Sequence, residues 1–294
     1  MASSYLRPTS LDEALASLQA AHAAAGTSSG GRLPVILAGG TDYYPARVGR
    51  ALDDDILDIT AIPDLRGLAE NGDHWRIGAT TTWGDIAAAE LPAHFDGLKQ
   101  AARAVGGVQI QNAGTVAGNL CNASPAADGA PVLMAMRARV ELRSAAGRRE
   151  LPLADFITGN RRTTLLPGEL VTAILVPKPK KASASVFLKL GAREYLVISI
   201  AMVGLVLEVE DGIVAGAGLA VGACSAAAMR LPWIESELTG RRLNEALANR
   251  VKAAHLDALA PIDDIRADAA YRRAAALTLV RRAILALAKQ QKRN

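Results

Sequence analysis

The sequence predicts an α+β fold, and three observations carry that prediction. The first 60 residues read strand, loop, short helix, strand, an order that favours a small parallel pair. The middle of the chain alternates as antiparallel strands do. Near the C-terminus three strands are followed by helices rather than interleaved with them, which separates the fold from a doubly wound βαβ array. A length of 294 residues also exceeds one ordinary domain. Residues 1–64, 65–180 and 181–294 are the expected units.

The elements follow from local chemistry. Ser10 and Glu13 form a capping-box pattern, and Leu11, Ala14, Leu15 and Leu18 share a helical face, so a helix is expected from Leu11 to about His22. Gly26 to Arg32 is a small-residue loop, and Leu33–Ala38 is a short apolar strand ending abruptly at Gly39-Gly40-Thr41-Asp42. Pro45 opens a short helix to Val48 that Gly49 closes, and Asp55–Ile59 is the next strand. Trp75–Ala79 is a strand, Thr82 and Asp85 repeat the capping pattern, and a helix spans Phe95–Val105 up to Gly106-Gly107. The stretch QNAGTVAGNLCNASPAADGAP is too rich in small, turn-forming residues to be a simple helix or strand. A helix at Pro131–Met136 follows Asp128, then strands at Arg139–Arg143, Arg148–Leu151 and Leu170–Val176. The stiff, polar run Pro177–Lys181 is the preferred boundary. Strands are expected at Val186–Leu190, Ser199–Val209 and Ile213–Val221, with Asp211-Gly212 as a hairpin turn, and helices begin near Ser225, Leu243 and Ala269.

Composition removes several functional classes. Hydrophobic residues make up 50% and charged residues 21%, the balance of a folded globular chain. No apolar run reaches the length of a membrane span, and the start MASSYLRPTSLDEA has no signal-peptide layout, so a cytoplasmic protein is expected. Cys121 and Cys224 are too few for a disulfide framework, and the four scattered histidines show no metal-ligand spacing, so no metal is expected. A net charge of +4 and 4% aromatics give no nucleic-acid surface, and KQQKRN reads as a solvated tail.

Nucleotide motifs narrow the chemistry further. No P-loop string is present, and Gly216, Gly218 and Gly222 fail the dinucleotide fingerprint because they lie inside a hairpin and Val221 occupies the third glycine position. Two other segments suit an anion: Ala38-Gly39-Gly40-Thr41-Asp42 and Gly114-Thr115-Val116-Ala117-Gly118-Asn119. Consecutive small residues let backbone N–H groups converge, and Thr41 and Thr115 can each add a hydroxyl. Facing one another, two such loops hold a diphosphate without Lys or Arg. Taken singly, each reads as a tight turn, where glycine is the default residue.

The strings LAGGTD, QIQNAGTVAGNLCNASPAADGAPVLMAM, FLKLGAREYLVISIAMVGLVLE and VGACSAAAMRLPWIESELTG, in that order, resemble the FAD-binding medium subunit of molybdenum hydroxylases. The group includes the medium subunit of carbon monoxide dehydrogenase and the flavin domain of xanthine dehydrogenase. The resemblance spans about Tyr5 to Ala288. It implies a vanillyl-alcohol-oxidase-like (PCMH-type) FAD-binding domain of two subdomains, followed by a C-terminal α+β domain of three antiparallel strands and helices.

By that resemblance Leu37 and Ala38 to Asp42 form the first pyrophosphate loop, and Gly114 to Asn119 the second, matching the family's T-[VI]-G-G-N element. Asp128 matches an acidic residue that reaches the cofactor, although it also stands where a helix N-cap would. Val105, Leu170, Val171 and Lys189 fall around the flavin end, where Lys189 would face the N1–C2 edge or snorkel from its strand. Tyr195 matches an aromatic near the ring or packs in the core. Cys121 is expected to be a small thiol without a redox role, and the Asn122-Ala123-Ser124 sequon has no meaning in a cytoplasmic chain. One departure is Ala117, where the family carries glycine; its methyl is harmless only at negative φ and clear of the phosphate. FAD is the one cofactor expected.

The resemblance further implies an oxidoreductase subunit that passes electrons from [2Fe–2S] clusters of a small subunit to an external acceptor. A molybdopterin-containing large subunit would oxidise the substrate, in a dimer of heterotrimers. A self-contained flavin oxidoreductase and a flavin-free scaffold are the rival readings. Substrate-dependent bleaching of bound flavin marks the first rival, and failure to bind FAD marks the second.

Overall fold

The computed structural model describes residues 3–26 and 32–292. Most of the expected 26–32 loop and the last two residues of the basic tail lie outside them. The N-terminal unit is a three-stranded parallel sheet in which Ile56–Asp58 lies between Tyr5–Leu6 and Val35–Leu37. Tyr5–Leu6 is too short to show as a strand in the sequence. Helix Leu11–Ala25 begins with the expected capping box, Ser10 Oγ accepting from the Glu13 N–H at 3.3 Å. Its buried Ala14, Leu15 and Leu18 close over Leu57, Ile59 and Ile62, making a small core of its own.

Residues from Leu68 to Pro177 build a five-stranded antiparallel sheet in the order Leu68–Glu70, His74–Gly78, Leu170–Pro177, Arg139–Ser144, Gly147–Pro152. Short helices cover it and bury Trp83, Phe95, Leu98, Leu120, Leu133 and Phe156 completely. Burying one such side chain stabilises the fold by about 1.5–3 kcal/mol. The segment read as irregular between Gln111 and Pro131 contains the end of helix Val108–Ala113, the whole of helix Val116–Asn122 and the start of helix Gly129–Ala135. Its small residues reflect close backbone packing: a Cβ on Gly129 would meet the Trp83 ring at 2.3 Å.

The C-terminal sheet has Ala182–Leu190, Ala201–Glu210 and Ile213–Gly222, with a two-residue edge strand, Met229–Arg230, added to the three expected. Asp211 and Gly212 turn the hairpin at φ of 52° and 75°, as a two-residue primed turn requires. Alternation sorts the central strand: Val203, Leu205 and Leu207 pack beneath helix Ala269–Gln291, while Met202 and Val206 join the core of the middle unit. Helix Gly129–Ala135 lies directly on the sheet backbone there. A Cβ on Gly218 would stand 2.0 Å from Ala135 O, which explains a glycine that mimics a nucleotide fingerprint. The helix expected near Ser225 starts instead at Pro232, because the Ser225 hydroxyl accepts from the Ala260 N–H and the chain first forms the edge strand. The one expected near Leu243 is a 3-10 turn, Glu245–Arg250, capped by Asn244. Among the described residues no helix is long and apolar enough to cross a membrane.

Candidate cofactor site

Strand Val35–Leu37 delivers the chain into a bend at Ala38–Asp42. Gly40 holds φ at +66°, where a side chain is strained, and any Cβ there would strike the Tyr44 ring at 2.6 Å. The backbone N–H groups of Gly39, Gly40, Thr41 and Asp42 donate to no described residue. Four free donors in a row are what an anion needs and what a buried turn avoids.

The second segment corrects the expectation of a loop. It is a bend at Gly114-Thr115 between two short helices, and Thr115 caps the second, its Oγ1 accepting from the Gly118 N–H at 3.1 Å. Ala117 therefore sits in a helix at negative φ, which satisfies one condition on its methyl, and its N–H has no partner among the described residues. The two segments touch. A Cβ on Gly39 would lie 1.8 Å from Ala113 O, and one on Gly114 would lie 3.3 Å from Thr41 Oγ1.

Between them opens a cavity of about 590 Å³, within the usual range for bound cofactors. Its walls include Leu37, Ala38, Gly39, Gly40, Thr41 and Asp42 on one side and Gly114, Thr115, Ala117, Gly118 and Asn119 on the other. Val105, Leu170 and Val171 border it as well. Asn119 Oδ1 is buried with no hydrogen-bond partner, a state that costs about 1–3 kcal/mol until something pairs it. Free amides, an unpaired carboxamide and a backbone cradle that a Cβ would fill together fit a diphosphate-bridged dinucleotide such as FAD.

Four expected residues stand elsewhere. Val116 is fully buried in the core of the middle unit. Asp128 does not cap its helix; both its oxygens are taken, one by Lys189 Nζ at 2.8 Å and one by Ser199 Oγ at 3.0 Å. Burial raises the Asp128 carboxyl, and Lys189 and Ser199 pull it partly back. Lys189 also donates to Ala104 O, next to the cavity-lining Val105. Tyr195 is exposed and does not border the cavity, but its neighbour Leu196 lies against Gly107 at the Val105 end.

Sequence reasoning missed Trp83, Ile110, Arg47 and Arg161 in the cavity wall. Arg47 is held over the Tyr43 ring at 3.8 Å and paired with Asp54 at 2.7 Å. Arg161 pairs with Asp42 at 3.0 Å. Cys121 also opens into the cavity, and its side chain is exposed there. A second cavity, of about 730 Å³, lies at the C-terminal end of helix Gly129–Ala135 and is bordered by none of the expected cofactor residues, although Gly216 and Gly218 of the rejected glycine string line it.

Comparison with known proteins agrees with this geometry. Residues 1–179 match the family described as FAD binding domain in molybdopterin dehydrogenase, and residues 187–287 match the CO dehydrogenase flavoprotein C-terminal domain. The chain is 34% identical over 202 residues to the nicotinate dehydrogenase FAD-subunit of Eubacterium barkeri, covering 67% of this chain and 65% of that one. It is 31% identical over 274 residues to the glyceraldehyde dehydrogenase medium chain of Sulfolobus acidocaldarius, covering 92% of each. The reconstituted CO dehydrogenase from Oligotropha carboxidovorans superposes with a TM-score of 0.86 at 26% identity, over 97% of this chain and 96% of that one. Two facing small-residue segments, the unpaired amides between them and these matches together place the chain in the FAD-binding family of the molybdopterin dehydrogenases.

Proposed function

We propose that this chain is the FAD-binding electron-transfer subunit of a multi-subunit molybdenum hydroxylase, working in the cytoplasm. Its partners are a molybdopterin-containing large subunit and a small subunit with [2Fe–2S] clusters, arranged as a dimer of heterotrimers. The observation that carries this reading is the cavity between residues 38–42 and 114–119, lined by backbone donors that the protein leaves unused. When bound, FAD supplies a two-electron store between one-electron iron–sulfur donors and an external acceptor.

The chain's own task is to bind, orient and shield. The amides of Gly39 to Asp42 and of Ala117 would hold the diphosphate, and Asn119 Oδ1 would accept from a hydroxyl of the same ligand. Leu170 and Val171 exclude water along an apolar wall. Lys189, anchored by Asp128 and donating to Ala104 O, braces the wall behind Val105. Tyr195, exposed beside Leu196, covers that end of the filled cavity. In this scheme residues 1–64 and 65–180 enclose the adenine–flavin ligand, and 181–294 supply Lys189 and Tyr195.

Purification of the complex from its native cell tests the proposal. Flavin absorbance in molar proportion to this chain, together with molybdenum and iron, is expected. A loaded molybdenum and iron–sulfur complex without flavin would overturn it.

A further inference from the structure

The acidic residue in the first segment poses a problem that the fold resolves at long range. Asp42 stands directly after three of the free amides, so an FAD diphosphate on those amides lies beside a carboxylate of its own sign. Like charges brought together at a binding site oppose the association. Arg161 answers that charge. Its Nη1 donates to Asp42 Oδ2 at 3.0 Å and also to Asn122 Oδ1. Among the described residues this is the one ion pair between residues 1–64 and the rest of the chain. The backbone is committed as well: Arg161 holds φ at 53° in the turn of a β-hairpin formed by Ile157–Gly159 and Arg162–Thr163, and its N–H donates to Ala123 O at 2.9 Å, fixing that turn to the end of helix Val116–Asn122.

Resting on the FAD reading above, we propose that Arg161 is a positioning residue that acts through Asp42: it neutralises the carboxylate so that the first segment accepts a diphosphate. The cation itself stays on Asp42 and Asn122. Both side chains of the pair are more than half exposed, at 59% and 53%, so the pair contributes little to global stability. Its effect falls on the anion that shares its surroundings.

The test is FAD affinity, read as flavin fluorescence quenching on the full chain freed of flavin, for wild type, R161M, R161K, D42N and the D42N/R161M double variant. At low ionic strength R161M is expected to bind FAD at least about tenfold more weakly than wild type. In 0.5 M salt that gap should narrow, because a Debye length of a few ångströms screens the exposed carboxylate. D42N/R161M should recover most of the loss, R161K should remain near wild type, and the melting temperature of the flavin-free chain should barely move. A loss in R161M that persists unchanged in salt and in the double variant would overturn the inference in favour of direct phosphate contact or simple scaffolding. Wild-type affinity in R161M at low salt would overturn it too. If wild type itself binds no FAD, the functional reading falls first and takes this inference with it.

Discussion

Gly39→Ala probes the place where the two cofactor segments touch. The added Cβ would sit 1.8 Å from Ala113 O, whereas real Cβ atoms keep at least 3.0 Å from such neighbours. The obstacle is backbone, so no side chain can swing aside, and the segments must part by more than an ångström. Overpacking of this kind costs about 1–3 kcal/mol. If the strain is relieved by opening the cavity, the amides of Gly39 to Asp42 leave register with Ala117, and FAD affinity falls by a factor of roughly 5 to 150. The melting temperature should fall by about 2–4 °C for each kcal/mol. Quenching of flavin fluorescence gives the affinity and thermal unfolding gives the stability. Gly72→Ala is the control, since a Cβ there meets nothing within 4 Å. An unchanged dissociation constant and melting temperature in Gly39→Ala would show that the segments do not depend on this contact.

Three further outcomes follow from the same structure. Lys189→Met strips the cation from a pair whose side chains are 12% and 8% exposed, and breaking a buried pair costs about 3–5 kcal/mol; urea unfolding should register it, with partial recovery when Asp128→Asn is added, and equal stability of the single variant and wild type would contradict the burial argument. Cys121, exposed in the cavity wall, should alkylate more slowly with saturating FAD than without it, while buried Cys224, its thiol pushed up to about 11 by that burial, stays silent; a rate indifferent to FAD would place the ligand elsewhere. The Asp264 carboxyl is held down at about 2, first by the Arg266 N–H and then by Arg272 and Arg266. A depressed carboxyl stabilises the fold above its unfolded pKa of about 4 and loses that contribution as pH falls towards 2. Wild type and Asp264→Asn should therefore differ in melting temperature at pH 6 and converge near pH 2, and a gap constant across that range would argue against the linkage.

What could be read from the sequence was local. The capping boxes at Ser10–Glu13 and Thr82–Asp85 are complete within four residues, and both form. The Asp211-Gly212 turn and the Ala38–Asp42 bend likewise follow from residues a few positions apart. The 111–131 segment was misread because its glycines and alanines answer to neighbours distant in sequence. Gly114 faces Thr41, and Gly129 faces Trp83, so smallness there signals close approach and not a loop. Helices of six and seven residues carry too little periodicity to offset that signal. Arg161 left no local trace at all: its partners Asp42 and Asn122 lie 119 and 39 positions away, and only the packing of the β-hairpin against helix Val116–Asn122 brings them together. Asp128 was legible by resemblance as an acidic residue that reaches the cofactor or as a helix N-cap, but its pairing with Ser199 and Lys189, which claim both its oxygens, was visible only in three dimensions.

A crystal structure of the chain grown with FAD tests the central claim most directly. Two phosphorus peaks should lie within hydrogen-bonding reach of the Gly39–Asp42 and Ala117 amides, with Asn119 Oδ1 no longer unpaired. FAD seated instead in the cavity beside Arg137 and Gly216, or density absent from the 38–42 and 114–119 segments at saturating ligand, would contradict it.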